Sequence, residues 1–280
     1  MPRLALCLIA AAAVAPTTFA YFGGYGPSPY AGKRTRKGLR ARGGGIPREV
    51  PSEEVEALAG EAFDWLANLG APAALVAGAV LQTLSDEKDA LRTYRSDRHW
   101  VKIAKRAAHL LLISSFALNI LSIFSTTVTG TMLKSLGDRN VVEAAAETIS
   151  PLGFMKSNYE FEYLTARITF LQGLLHWLGG IALMYAVPQD GQSQATRAMH
   201  EFIAAALFNL ILLIITFYNG HTNFYKSYPD MLRVFVLSTF ERYYGSGFRP
   251  MALLYAPASL YTFYLLHKAL FVEADDDKRD

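Results

Sequence analysis

AAHLLLISSFALNILSIFSTTV, residues 107–128, contains no Asp, Glu, Lys or Arg. At 1.5 Å per residue a helix of this length crosses a hydrocarbon core of about 30 Å. The same absence of charge recurs over 168–187, 202–219 and 251–266. A long helix at the surface of a soluble domain shows a charged face, and none of these does. Only 18% of the 280 residues are charged and 52% are hydrophobic, whereas a soluble domain carries roughly 25% charge. Four such runs need a larger polar shell than this chain supplies. The sequence therefore predicts an all-α, polytopic helical membrane protein. Its four spans are expected at roughly 107–130, 163–187, 201–219 and 251–271, within a membrane domain over 107–272.

A further apolar segment precedes them, in the region 51–106. Ser52 suits an N-cap, with Glu53 and Glu54 in the first turn, where the helix dipole favours acids. Val55, Leu58, Ala62, Trp65 and Leu69 share a helical face. Gly70-Ala71-Pro72 is expected to break or kink the helix. Two readings follow. One is an amphipathic interfacial helix and then a short buried one. The other is a fifth, N-terminal span over 63–84, packed through a small-residue face of Ala67, Ala71, Ala74 and Gly78.

Charge sets the orientation. Lys88, Arg92, Arg95, Arg98, Lys102, Lys105 and Arg106 all precede Ala107. In the loop from 131 to 162, Lys134, Arg139 and Lys156 are offset by five acids. The positive-inside rule places the basic loop on the cytoplasmic or stromal side. The acidic tail, 273–280, returns to that side. The net charge of +3 implies no nucleic-acid partner. The bilayer is the expected partner, together with a homo-oligomer or membrane complex.

The N-terminus reads as an address. Met1-Pro2-Arg3 and the apolar run from Leu4 to Val14 form a signal peptide over 1–20, cleaved after Ala20 with Thr18 at −3. Residues 21–50 are Gly-, Tyr- and Pro-rich and hold Lys33, Arg34, Arg36, Lys37, Arg40 and Arg42, with no acid before Gly45. A signal peptide followed by an acid-free basic segment resembles the bipartite presequences of algae with red-lineage secondary plastids, with Phe19 or Tyr21 as the aromatic residue at the cut. That resemblance implies a plastid membrane of secondary origin, reached through the secretory pathway. Without it, the leader directs the chain to an endomembrane or the plasma membrane. The one cysteine, Cys7, lies within the signal peptide, so the mature chain is expected to hold no disulfide, iron–sulfur cluster or thiolate nucleophile.

Polar residues inside the spans carry the functional expectation. Ser115, Asn119, Ser122, Thr126 and Thr129 recur at helical spacing on the first span. Thr165, Thr169, Gln172 and His176 do so on the second, and Asn209 and Thr216 on the third. Lipid cannot satisfy such groups, so the seams are expected to face one another. They then serve as interhelical glue, or they line a pathway or ligand site. The pathway candidates are Ser115, Asn119, Ser122, Thr126, Thr169, Gln172, His176, Asn209 and Thr216. Asn119, Gln172 and His176 near the membrane middle exceed what packing needs, so the leading expectation is a channel, transporter or carrier that uses these seams, which a water-sized cavity among the three would favour. Dry packing would favour a structural or assembly protein of an organelle membrane.

His109, His200 and His267 near span ends are weak metal or haem candidates; no metal or cofactor is predicted. No hydrolase elbow, phosphate loop or zinc-protease motif occurs, which leans against an enzyme. Ser115 or Ser122 with His176 is the one conceivable nucleophile pair. Arg167 and Glu160 are expected to form an interfacial ion pair or to snorkel. The segment from Asp230 to Tyr244, amid Tyr218, Phe224, Tyr225 and Tyr228, reads as a helix lying on the membrane surface. The stretch from Gly173 to Leu178, with the seams and the span count, resembles Orai-type calcium channels. No acid occupies a pore-lining position, however, and the chain is not assigned to that family.

Overall fold

The computed structural model describes residues 52–94, 96–134, 150–188, 191–222, 224–241 and 250–271. The signal peptide, the basic segment and the acidic tail lie outside these residues. All regular elements among them are helical: α1 (Ser52–Asp86), α2 (Lys88–Leu91), α3 (His99–Lys134), α4 (Pro151–Asn158), α5 (Glu160–Ala186), α6 (Gln194–Gly220), α7 (Tyr228–Phe240) and α8 (Pro250–Phe271). Four are long and apolar enough to cross a membrane: α1 from Glu56, α3, α5 and α6.

The undecided segment is thus one helix of 35 residues that runs through Pro72 without a break. The two-helix reading does not hold. Pro72 is exposed, so its ring and the carbonyl it leaves unbonded stay off the packed face. The packed face is also rotated from the expected one. Ala59, Ala62, Leu66, Ala73, Ala77 and Val80 are buried, whereas Ala67, Ala71, Ala74 and Gly78 are exposed. The buried stripe offers Leu66 and Val80 to the core beside its alanines, so it removes more apolar surface from contact with the surroundings while still allowing close approach. The segment expected as the last span is helical as α8 and packs against α3.

The bundle runs up and down. α1 meets α3 antiparallel, with Phe63 against Gly130, Gly70 against Thr126 and Val80 in a cluster with Leu111 and Leu112. α1 lies parallel to α5: Trp65 stacks on Tyr163 at 5.2 Å, and Trp177 Nε1 donates to Thr83 Oγ1 at 3.3 Å. α5 and α6 are antiparallel, linked through Tyr185 with His200 at one end and Arg167 with the His221 carbonyl at the other. α5 is the central helix, since 61% of its apolar stretch is buried against 6% for α6.

α7 docks its N-terminal turn on this core. Ser227 caps it and Pro229 sits in its first turn. Tyr228 and Met231 are buried, and Phe235 lies against Phe161 of α5 at 6.0 Å. The segment is therefore inserted against the bundle at one end. Arg233, Leu237 and Phe240 are exposed on it, and residues 242–244 of the expected segment lie outside the described residues.

The end of the bundle holding Asp86, His99, Ala186 and Gln194 is the basic one. There Asp97 accepts from the Tyr94 amide at 2.9 Å and from Lys105 Nζ at 2.9 Å, and Lys105 also donates to the Arg92 carbonyl at 3.0 Å. Burial pushes the Asp97 carboxyl up, but the Tyr94 amide and the Lys105 ammonium outweigh it and hold the group below its usual value. A carboxylate held low stabilises the fold above its unfolded value of about 3.9 and loses that contribution as pH falls through the folded one. Asp97→Asn should therefore lower the melting temperature at neutral pH, and the difference from the parent should vanish as pH falls through the carboxyl's lowered folded value.

The topology is checked by single cysteines in a Cys7→Ser background. A membrane-impermeant maleimide should label positions 102 and 192 from one side and position 56 from the other. Labelling of 102 and 192 from opposite sides would overturn the antiparallel arrangement.

Candidate functional site

The two strongest polar stripes do face one another. On α3, Ser115, Asn119, Ser122, Ser125, Thr126 and Thr129 are buried; on α5, Thr165, Thr169, Gln172 and His176 are. Ser115 Oγ donates to the Gly173 carbonyl at 2.6 Å, Ser122 Oγ to the Ala166 carbonyl at 2.9 Å, and Ser125 Oγ to the Glu162 carbonyl at 3.3 Å. Each carbonyl keeps a second lone pair beyond its place in the helix ladder, and the serines use it. The threonines bond to their own helices instead: Thr126 to Ile123, Thr129 to Ser125, Thr165 to Phe161 and Thr169 to Thr165.

Small residues make this contact reachable. Ala108, Ser115 and Ser122, seven residues apart on α3, oppose Gly180, Gly173 and Ala166 on α5. A Cβ at Gly180 would lie 3.0 Å from Leu112 and 3.3 Å from the Ala108 carbonyl. A Cβ at Gly173 would lie 2.3 Å from Asn119 Nδ2. Asn119, fully buried, donates to the Ser115 carbonyl at 2.8 Å and occupies the space that the missing side chain leaves. Its Oδ1 has no hydrogen-bond partner among the described residues. That oxygen also faces Gly173, 3.1 Å from where a Cβ would stand.

The other two expected members of the site diverge. Gln172 Nε2 donates to the Tyr228 hydroxyl at 2.5 Å, tying α5 to α7. His176 Nδ1 meets Ser114 Oγ at 2.7 Å, and Ser114 Oγ lies 2.9 Å from the Leu111 carbonyl. Ser114 Oγ thus lies between the imidazole and a backbone carbonyl with one proton to give, and which neighbour receives it follows the imidazole tautomer. Ser115 and Ser122, the serines suspected from sequence, address backbone carbonyls instead. Asn119, Gln172 and His176 therefore point to three different partners, and they do not converge on a shared space.

Asn209 and Thr216 depart from expectation. Both are exposed on α6. Thr216 bonds back to the Leu212 carbonyl at 2.8 Å, and Asn209 makes no hydrogen bond among the described residues. The inner face of α6 is apolar instead, with Ile211, Ile214, Ile215 and Tyr218 against the core. The three histidines also stay apart. His109 and His267 are exposed on α3 and α8, while His200 lies edge-on to Tyr185 at 5.1 Å. Among the described residues no group of three or more His, Cys, Asp or Glu could hold a metal ion.

Arg167 does not pair with Glu160. It donates to the Tyr163 hydroxyl and to the His221 carbonyl at 3.0 Å, while Glu160 accepts from the Tyr225 hydroxyl at 3.2 Å. Sequence reading missed Ser114 and Ser125, which lie beside the stripe, and the Tyr228 contact, which joins residues far apart in the chain. The close approach at Gly173 and Gly180 was missed as well. No family model, no curated protein and no solved structure matches the chain.

Overpacking tests the seam. Gly173→Ala is expected to destabilise by about 1–3 kcal/mol, measured by unfolding in detergent. Combined with Asn119→Ala it should recover most of that loss, because the new methyl enters the vacated space. Strictly additive effects would mean that the two positions do not meet.

Proposed function

We propose that this chain is a structural or assembly protein of a membrane rather than a conduit. The observation that carries the reading is the state of the α3–α5 seam. Its serines are spent on backbone carbonyls and its glycines on close approach. Asn119 fills the gap at Gly173 with 0% exposure, so the polar stripe is glue. Interhelical bonds of this type contribute about 0.6 kcal/mol each, and several in register fix one helix pair.

The outward face of α6 supports the same reading. Phe202, Leu213 and Phe217 are exposed by 64–69%, as suits lipid or another apolar helix. Asn209 lies amid them near the middle of the helix, beside exposed Ala205 and Ala206. An unpaired amide in hydrocarbon costs several kcal/mol. Its satisfaction calls for a second membrane helix, and the small neighbours permit close approach. We read α6 as the assembly face, in a bilayer whose cytoplasmic or stromal side holds the basic loop.

A carrier is the second reading, favoured by one observation: the buried, unbonded Asn119 Oδ1. Two variants separate the readings. Asn209→Leu should leave the protomer folded and reduce the size of the native complex in mild detergent. Asn119→Leu, verified as folded, should still complement a deletion strain. Failure of Asn119→Leu to complement would favour the carrier, and an unchanged complex with Asn209→Leu would remove α6 as the assembly face.

A further inference from the structure

Beyond the assembly reading, one cation stands out. Arg167 lies seven residues into α5, about 10 Å from its start at 1.5 Å per residue. A helix of 27 residues is about 40 Å long and overhangs a 30 Å core by about 5 Å at each end. The Arg167 backbone then lies about 5 Å inside the hydrocarbon edge, and its guanidinium reaches out to the His221 carbonyl at the end of α6, near the depth of lipid phosphates. Among the described residues no carboxylate pairs with it. It lies 4.9 Å from the Tyr218 ring centroid and 5.7 Å from that of Tyr163. Two of its five N–H donors are used, on the Tyr163 hydroxyl and the His221 carbonyl.

Beside it opens a cleft of about 210 Å³ lined by Trp65, Leu69, Leu152, Arg167, Phe170 and Tyr218 among others. At about 30 Å³ per water this is the space of about seven waters, too small for a whole lipid and sufficient for a headgroup oxygen cluster with the first methylenes of one chain. The walls are apolar and the only formal charge on them is positive. An uncompensated cation at that depth is stable when it meets an anion, and a guanidinium fork matches a phosphate.

We propose that Arg167 and this cleft bind an anionic phospholipid, with the phosphate on the guanidinium and the start of one acyl chain against Leu69, Leu152 and Phe170. The bilayer is the source, since it presents phosphate esters at this depth. The aromatic faces of Tyr163 and Tyr218 hold the guanidinium in place, and the α6 C-terminal carbonyl at His221 fixes its direction.

The test uses the full-length protein purified in detergent and titrated with phosphatidylglycerol, phosphatidylcholine or oleic acid, read by native mass spectrometry and by melting temperature. Retention of phosphatidylglycerol at least tenfold above phosphatidylcholine, with a rise in melting temperature, is expected. Arg167→Gln should abolish that preference, and Arg167→Lys should retain part of it. Leu69→Trp, which fills the cleft and keeps the cation, should also lose retention, and it provides the comparison if Arg167→Gln does not fold. Equal retention by the parent and both the Gln and Trp variants would overturn the site. Preferential retention of oleic acid over phosphatidylglycerol would overturn the phospholipid assignment in favour of a free carboxylate.

Discussion

The hydrocarbon solvent leaves a buried hydroxyl nowhere to turn except to protein, and the α3–α5 contact is built on that constraint. Serine protons on α3 go to carbonyls of α5 at Gly173, Ala166 and Glu162. Such bonds require the helix backbones to approach closely, which Gly173 and Gly180 permit. Close approach in turn multiplies dispersion contacts, the main attraction left between apolar helices when water is absent. Hydrogen bonding and small side chains are therefore one device here. Neither would work alone: a bulky residue at Gly173 would separate the helices, and alanines for serines would leave the register less defined.

The rest of the bundle arranges itself around α5. α1 fills the angle between α3 and α5 with an alanine-rich stripe, placing Trp65 on Tyr163 and Thr83 under Trp177. α7 reaches in from the far side, and Tyr228 completes the hydrogen bonding of Gln172. A mid-span glutamine is costly in lipid; here it anchors an element that would otherwise rest on the surface. α6 contributes an apolar inner face and leaves its polar residues outside. The protomer thus closes its α3 and α5 stripes within itself and leaves Asn209 and Thr216 exposed on α6, the asymmetry on which the proposed assembly role rests.

The chemistry left over is cationic and peripheral. Acids and bases at the two ends of the bundle behave differently. At the basic end Asp97, in the connection before α3, and Lys105, in the second turn of α3, neutralise each other. At the other end Glu160 is held by a tyrosine and Arg167 by tyrosines and a carbonyl. The first arrangement staples a connection and asks nothing of the surroundings. The second leaves a guanidinium with no carboxylate partner among the described residues, which is the ground for the anionic lipid proposed there.

By itself the sequence determined the all-helical membrane class. It also placed spans at 107–130, 163–187, 201–219 and 251–271, where α3, α5, α6 and α8 are found, because about 20 uncharged residues suit a helix in lipid; of these α3, α5 and α6 are long and apolar enough to cross. It determined the stripes of α3 and α5 as well, because a polar line at helical spacing on an apolar helix must be buried. Tertiary structure alone decided which stripes are buried within one protomer. The α6 stripe carries the same spacing but faces outward, since the apolar ridge of Ile211, Ile214 and Ile215 fits the core better. Periodicity names the faces of a helix and is silent on which neighbour covers each. The same limit hid the true packing face of α1, one step around from the expected one, and the meeting of Gln172 with Tyr228. Contacts between distant segments are set by the shapes of both partners, and a single chain read in order shows only one partner at a time.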